Sequence, residues 1–256
     1  MTTTQFSGVA LVTGAGQRLG SAIAIGLACA GWDVAIHYRH SRGGAEETAS
    51  AVRACGRRAA LLDADLADED AVRALAGRAI AALGPLGCIV NSAALFSFDD
   101  PTQFSPALLA MHMQTNVAAP LILAQALHAA TPAGQQAVVI NLLDQKLGNL
   151  NPDFLSYTLS KAALQTATTM LAQALAPRVR VVGVSPGITL VSGDQEAAGF
   201  EQAHRATPLG RSSTPQDIVD AVCYLATARA ITGTTLVVDG GQHLIPLARD
   251  VMFLTG

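Results

Sequence analysis

Val9-Ala10-Leu11-Val12-Thr13-Gly14-Ala15-Gly16-Gln17-Arg18-Leu19-Gly20 decides how the rest of the chain is read. Four apolar residues in a row suit a short buried strand. Thr13-Gly14 then ends the strand, and three glycines space a turn ahead of the next apolar run. Glycines at such a turn let the backbone approach a pyrophosphate, which then lies on the N-terminus of the following helix. The match to G-x-G-x-x-G is imperfect, because Leu19 takes the third glycine's slot and Gly20 follows it. On this stretch alone, a nucleotide turn and a plain tight turn both stand.

Outward from the turn, the same punctuation repeats. A helix is predicted from about Ser21 to Ala30, closed by Gly31, then a strand over Trp32–Tyr38 and a helix near Ala45–Ala54. Ala59–Asp63, Cys88–Asn91, Ala137–Leu142, Val179–Val184 and Thr235–Val238 read as further strands. Helices are predicted over Glu69–Leu83, about Pro106 to Ala130, and about Ser156–Ala176. Strands that are continuous apolar runs, alternating with helices, imply a parallel sheet covered on both faces. The expected architecture is therefore one α/β domain spanning 1–256, a doubly wound seven-stranded sheet of Rossmann type. The segment from about Gly187 to Arg211, rich in Gly, Ser and charge, is expected to form a mobile substrate lid.

Composition limits the partners. The chain has 256 residues, half of them hydrophobic and 14% charged, and about 250 residues commonly form one α/β domain. A net charge of −3 argues against nucleic acid or an anionic membrane as a partner. No apolar run is expected to approach the roughly 18 to 20 residues of a membrane span. Met1–Ser7 lacks the positive charge of a secretion signal. Cys29, Cys55, Cys88 and Cys223 are scattered and read as free thiols of a reducing compartment, the cytoplasm by default. His112, His128, His204 and His243 show no metal-ligand spacing, so no metal is expected.

The end of the second strand bears on the cofactor. NAD enzymes usually carry an acid about 20 residues beyond the turn. Here the sequence is His37-Tyr38-Arg39-His40-Ser41-Arg42, and Asp33 lies at the other end of that strand. Arg18, Arg39 and Ser41, with His40 as helper, suit a 2′-phosphate, so NADPH is the expected cofactor. The alternative is a solvated basic loop. Further on, Tyr157 and Lys161 stand i to i+4 on the long helix, which puts phenol and ammonium on one face. A lysine so placed is expected to lower the tyrosine pKa and make the phenol a workable acid.

With these pieces in hand, the chain resembles the short-chain dehydrogenase/reductase family over essentially its whole length. The resemblance rests on the turn from Thr13-Gly14 to Gly20, Asp65-Leu66, Asn91-Ser92-Ala93, Asn116, Tyr157/Lys161, Pro186-Gly187 and Val238-Asp239-Gly240-Gly241. It implies that Asp65 and Leu66 meet the adenine and that Asn91, Ser92 and Ala93 shape the cofactor end of their strand. It also implies that Asn116 supports a proton relay through Lys161, that Pro186, Gly187 and Ile188 contact the nicotinamide amide, and that the protein is a homotetramer.

Two departures from the general family pattern carry information. Arg18 stands where the family's middle glycine belongs. The family's catalytic serine is replaced by Asp144, thirteen residues before Tyr157, and Val138–Leu150 contains no serine. A carboxyl donates a hydrogen bond to a carbonyl only when protonated. Both departures, and His37-Tyr38-Arg39-His40-Ser41, look like the pteridine reductase and dihydromonapterin reductase branch. There Phe96 falls where an aromatic ring stacks on the pterin. The expected activity is NADPH-dependent reduction of a pterin-type C=N bond, with Asp144, Tyr157 and Phe96 on the substrate. The alternatives are a carbonyl or 3-oxoacyl reductase of the same family and a non-catalytic nucleotide sensor.

Overall fold

The structure, a computed structural model, describes residues 8–191, 204–205, 207–250 and 253. Its strands are β1 (Val9–Val12), β2 (Asp33–Tyr38), β3 (Ala59–Asp63), β4 (Leu86–Asn91), β5 (Ala137–Leu142), β6 (Val179–Pro186) and β7 (Thr235–Val238). They form one sheet, paired in parallel throughout, in the order β3-β2-β1-β4-β5-β6-β7. Chain order reverses direction between β1 and β4, which opens a crevice at the carboxyl ends of the strands.

Among the described residues the α-helices are α1 (Arg18–Cys29), α2 (Arg42–Ala54), α3 (Glu69–Leu83), α4 (Pro106–Met113), α5 (Ala119–Ala130), α6 (Leu155–Leu175) and α7 (Pro215–Thr227). Ile23 and Leu27 of α1, Val52 of α2 and Ile218 of α7 pack one face of the sheet. Leu75 of α3, Leu123 and Leu127 of α5 and Ala172 of α6 pack the other. The sheet is thus doubly wound, as its apolar strands require. Local chemistry sets the helix starts. Asp68 caps α3 by accepting from the Asp70 and Ala71 amides, and Glu69 and Asp70 favour the positive end of the dipole.

The structure differs from the sequence expectations in several places. Helix α1 begins at Arg18, three residues early, with Arg18 at a left-handed φ of +53°. This accounts for the family's glycine at that position, since few side chains tolerate such a backbone. Helix α7 was not anticipated, although Thr214 and Asp217 form a full capping box at its start. The expected helix from Pro106 to Ala130 is continuous, but Gln114–Ala118 form a π turn between α4 and α5. That 25-residue rod is long and apolar enough, by length and composition, to cross a membrane, which the sequence reading had excluded. Here its Leu123 and Leu127 are buried against the sheet.

The cysteine expectation also needs correcting. Cys29 ends α1 and Cys55 caps α2, and they are joined by a disulfide with Cα atoms 5.2 Å apart. They are 26 residues apart in sequence, and only the packing of α1 on α2 brings them together. Cys88 and Cys223 are free, and burial pushes their thiols up to about 12 and about 11.

Candidate active site

The turn after β1 is tightly built. Gly14 has a φ of +66°, and a Cβ there would lie 2.9 Å from the Ala93 backbone; one on Gly20 would lie 2.2 Å from the Gly14 carbonyl oxygen. Thr13 Oγ1 accepts from the Ser92 and Ala93 amides at 3.0 and 3.1 Å, which fixes the loop after β4 beside the turn. The Gly14 amide donates to His37 Nδ1 at 3.1 Å, and His37 Nε2 meets the Ala64 carbonyl oxygen at 3.1 Å. One buried imidazole therefore ties together the carboxyl ends of β1, β2 and β3. Burial holds it below its ordinary value of 6.5, so the ring is neutral and the Nε2–H form satisfies both contacts. This close turn at the N-terminus of α1 has the shape a dinucleotide needs.

The basic residues divide into two groups, against expectation. Arg39 lies 3.6 Å from Asp65 and donates to His40 Nε2 at 2.8 Å, while Ser41 donates to Gln17 at 3.1 Å. Tyr38 and Leu66 are buried beneath them. Arg18 instead donates to the Val191 carbonyl at 2.8 Å and lines the central cavity, and Arg42 bonds Glu46 at 3.0 Å. The 2′-phosphate cluster expected from Arg18, Arg39, His40 and Ser41 is thus not assembled as one group. Only Arg39, His40 and Ser41 stay together at the end of β2.

The catalytic candidates meet in a cavity of about 260 Å³ at the crevice, lined by Leu142, Asp144, Tyr157, Lys161, Pro186, Gly187 and Ile188 among others. Tyr157 donates its hydroxyl proton to Asp144 Oδ2 at 2.9 Å, and Asp144 Oδ1 accepts from the Lys146 amide at 2.8 Å. Lys161 donates to the Leu142 carbonyl at 2.7 Å and sits 5.6 Å from the centre of the Tyr157 ring. Burial pushes the Asp144 carboxyl up and the Lys161 ammonium down to about 8. The Tyr157 phenol is held well above its ordinary value, first by burial and then by Asp144. The expected lowering of Tyr157 by Lys161 is therefore overturned: the carboxylate that replaces a serine hydroxyl stands against the phenol and keeps its proton on.

Asn116 and Asn91 are buried supports. Asn116 exchanges hydrogen bonds with the Leu95 backbone at 2.7 and 3.0 Å and donates to Ser160 at 3.0 Å. Its amide braces the loop after β4 against α6, and it makes no direct bond to Lys161. Asn91 donates to Asn141 at 2.8 Å, and Asn141 to Thr168 at 2.9 Å, which locks β4, β5 and α6 together.

Phe96 lines the cavity, stacked on Phe154 with centroids 4.4 Å apart and edge-on to Tyr157 at 4.8 Å. Phe154, at a left-handed φ of +54°, was missed in the sequence, as were His37, Lys146, Gln242 and Asp250. Of these, His37 lies within the stretch His37–Ser41 and Gln242 directly follows Val238–Gly241, while Phe154, Lys146 and Asp250 belong to no quoted motif. Of the expected lid, residues 192–203 and 206 lie outside the described residues. Its start, Gly187 to Val191, is anchored where the Ile188 amide donates to Gln242 Oε1 at 3.1 Å and Thr189 bonds Ser213 at 2.7 Å.

Comparisons with known proteins agree with this geometry. Residues 14–243 match a family model described as enoyl-(acyl carrier protein) reductase. The crystal structure of FolM alternative dihydrofolate reductase 1 from Brucella canis, complexed with NADP, superposes with a TM-score of 0.90 at 40% identity, covering 95% of this chain and 96% of that one. An L-rhamnose 1-dehydrogenase (NAD(P)(+)) of Sphingomonas is 30% identical, covering 91% of this chain and 95% of its own length. A dihydromonapterin reductase of Citrobacter koseri is 29% identical, covering 91% and 96%. With its glycine turn, its Tyr157–Lys161 pair and an aspartate at the serine position, the chain belongs to the short-chain dehydrogenase/reductase family, on its pteridine reductase-like branch.

Proposed function

We propose that the protein is an NADPH-dependent pterin reductase acting on the C=N bond of a dihydropterin, such as dihydromonapterin, dihydrobiopterin or a dihydrofolate-like compound. The observation that carries the reading is Asp144, a half-buried carboxyl bonded to the Tyr157 hydroxyl at 2.9 Å where the family keeps a neutral hydroxyl. A carbonyl oxygen needs donors only, whereas a dihydropterin brings ring N–H groups that a carboxylate accepts.

The turn Gly14–Gly20, with Leu19, and the N-terminus of α1 would hold the pyrophosphate of NADPH. Asp65 and Leu66 would meet the adenine, and Arg39, His40 and Ser41 the 2′-phosphate. Asn91, Ser92, Ala93, Tyr157 and Lys161 would border the nicotinamide ribose, and Pro186, Gly187 and Ile188 the carboxamide. When bound, NADPH supplies the hydride. The protein's own residues handle the proton. Tyr157 keeps its proton beside Asp144, so the phenol would still carry a proton for the substrate nitrogen, as a weaker acid than a lysine-lowered phenol. Such general acid catalysis is worth about 10²–10⁴-fold. Lys161 lies beneath the phenol ring, cationic below about pH 8, and opposes the negative charge left when the phenol gives up its proton. Phe96 offers a flat apolar face for a ring.

The proposal extends to a cytoplasmic homotetramer. Exposed Met111 on α4 and Leu159 and Met170 on α6 support an interface on the helices that flank Asn116 and Tyr157. Light scattering reads the oligomer, and cell fractionation the location.

A substrate panel tests the activity: dihydrobiopterin, dihydromonapterin, a 3-oxoacyl thioester and a diketone, each with NADPH and with NADH. Dihydropterin turnover with a preference for NADPH is expected. Turnover of the thioester or diketone with none on any dihydropterin would sink the proposal. The likeness to an L-rhamnose dehydrogenase favours sugar oxidation as a second reading, so L-rhamnose with NADP⁺ joins the panel.

A further inference from the structure

The cavity has a second polar wall for which proton delivery has no use. Lys146 follows Asp144 by two residues, and its side chain is only 5% exposed. Its ammonium donates to the Asp153 carbonyl at 2.5 Å and to Asp250 Oδ2 at 3.1 Å. Asp250 comes from the far end of the chain, more than a hundred residues on. Its amide donates to Asp153 Oδ2 at 2.7 Å, and Arg249 bonds the same carboxylate at 2.8 Å. Lys146 and Asp250 both line the cavity with Asp144, Phe96 and Phe154.

Arg249 and the Asp250 amide already latch this segment to Asp153, so the Lys146–Asp250 pair is not needed as a tether. A buried ion pair contributes little net stability, because desolvation offsets the attraction. Its position supplies a different rationale. A donor and an acceptor stand side by side on the wall of a cavity that also holds the stacked rings of Phe96 and Phe154, 4.4 Å apart. The Lys146 ammonium bonds Asp153 and Asp250 and lies 5.4 Å from the centre of the Phe154 ring, which places its charge beside the stacked aromatic faces. The complementary ligand is a flat ring whose edge carries an oxo group next to N–H donors.

We propose that Lys146 and Asp250 determine specificity by reading the 2-amino-4-oxo edge of the pterin ring: Asp250 accepts from its N–H groups and Lys146 donates to its oxo oxygen. The inference rests on the pterin-reductase reading and assigns that substrate's far edge. The charge of Asp250 is also felt at Asp144 and Tyr157, raising both, which agrees with its place in the same cavity.

The experiment is calorimetric titration of the NADP⁺-loaded protein with 7,8-dihydrobiopterin and with its lumazine counterpart, which bears an oxo group in place of the 2-amino group. One charge-assisted hydrogen bond predicts that the wild type prefers the amino compound by about 10- to 100-fold. Asp250→Asn is expected to erase most of that preference, and so is the paired variant Lys146→Met with Asp250→Leu, which leaves no lone buried charge. In steady-state assays KM for the dihydropterin should rise more than kcat falls. Equal binding of both compounds by the wild type, or a variant that binds NADPH normally and keeps the preference, overturns the inference and leaves pterin reduction standing. A wild type that binds and reduces neither compound overturns the pterin reading, and the inference with it.

Discussion

Replacing His37 with phenylalanine should loosen the cofactor turn without touching the catalytic pair. The imidazole accepts from the Gly14 amide and meets the Ala64 carbonyl, both at 3.1 Å, and it is 1% exposed. Phenylalanine fills much of the same space but leaves one donor and one acceptor buried without partners. At about 1–3 kcal/mol for each, the loss is about 2–6 kcal/mol. That is a large part of a domain's usual stability of about 5–15 kcal/mol. At about 2–4 °C per kcal/mol for a domain of this size, Tm should fall by about 4–24 °C. NADPH affinity should fall too, because the Gly14 amide is no longer oriented. Acid adds a second signature. The unfolded chain takes up a proton near pH 6.5 and the folded chain only at lower pH, so this contribution is complete above 6.5 and is lost as pH falls through the folded value. The wild type should therefore lose Tm between pH 7 and 5 by a component that His37→Phe lacks. Thermal unfolding with and without NADPH reads all three effects. A variant with wild-type Tm and wild-type NADPH affinity would refute the reasoning.

Other perturbations address different parts of the molecule. Asp144→Ser should cut kcat/KM for a dihydropterin by about 10²–10⁴-fold while diketone reduction holds or rises, as steady-state kinetics on both substrates will show. Because Lys161 is held at about 8, kcat/KM should decline above that pH as the ammonium loses its proton, and Lys161→Met should remove that limb along with most of the activity. At the opposite end of the sheet, Asp33 bonds Arg57 at 2.8 Å and Arg58 at 2.7 Å. Burial pushes its carboxyl up, and the Arg58 hydrogen bonds more than offset this, leaving it below 3.8. Asp33→Asn should cost about 2 kcal/mol at pH 7, less than a fully buried pair because Arg58 is 62% exposed. The cost should vanish as pH falls through the folded pKa, and urea unfolding at pH 7 and pH 3 checks both.

Local chemistry made most of the architecture legible. Uninterrupted apolar runs such as Val9–Val12 and Ala137–Leu142 are buried on both faces, and glycines close the helices between them. Asp144, Tyr157 and Lys161 could be read because fixed spacing on one helix, and on the strand end facing it, brings them together. Helix α7 was missed although Thr214-Pro215-Gln216-Asp217 carries its capping box openly. Other features have no local trace. Cys29 meets Cys55, and Lys146 meets Asp250, only through tertiary packing. Arg18 turned out to serve the cavity, because charge alone does not reveal which way a left-handed residue sends the chain. The direction of the Tyr157 shift has no local trace either, because it is set by burial and by the Asp144 carboxylate that tertiary packing brings to the phenol.

The π turn at Gln114–Ala118 has a consequence for how this chain can change over time. An α-helix turns about 100° per residue, so one extra residue in a turn rotates everything beyond it by about that angle. Ahead of the turn, α4 packs on α6; beyond it, α5 sets Leu123 and Leu127 on the sheet. Asn116 sits inside the turn and holds Leu95 next to Phe96. Deleting a single residue here would restore a regular helix, and either Asn116 would swing off its loop or Leu123 and Leu127 would swing off the sheet. The rod therefore tolerates substitution far more readily than a change of length, whereas the loops at the carboxyl ends of the strands remain free to vary in both.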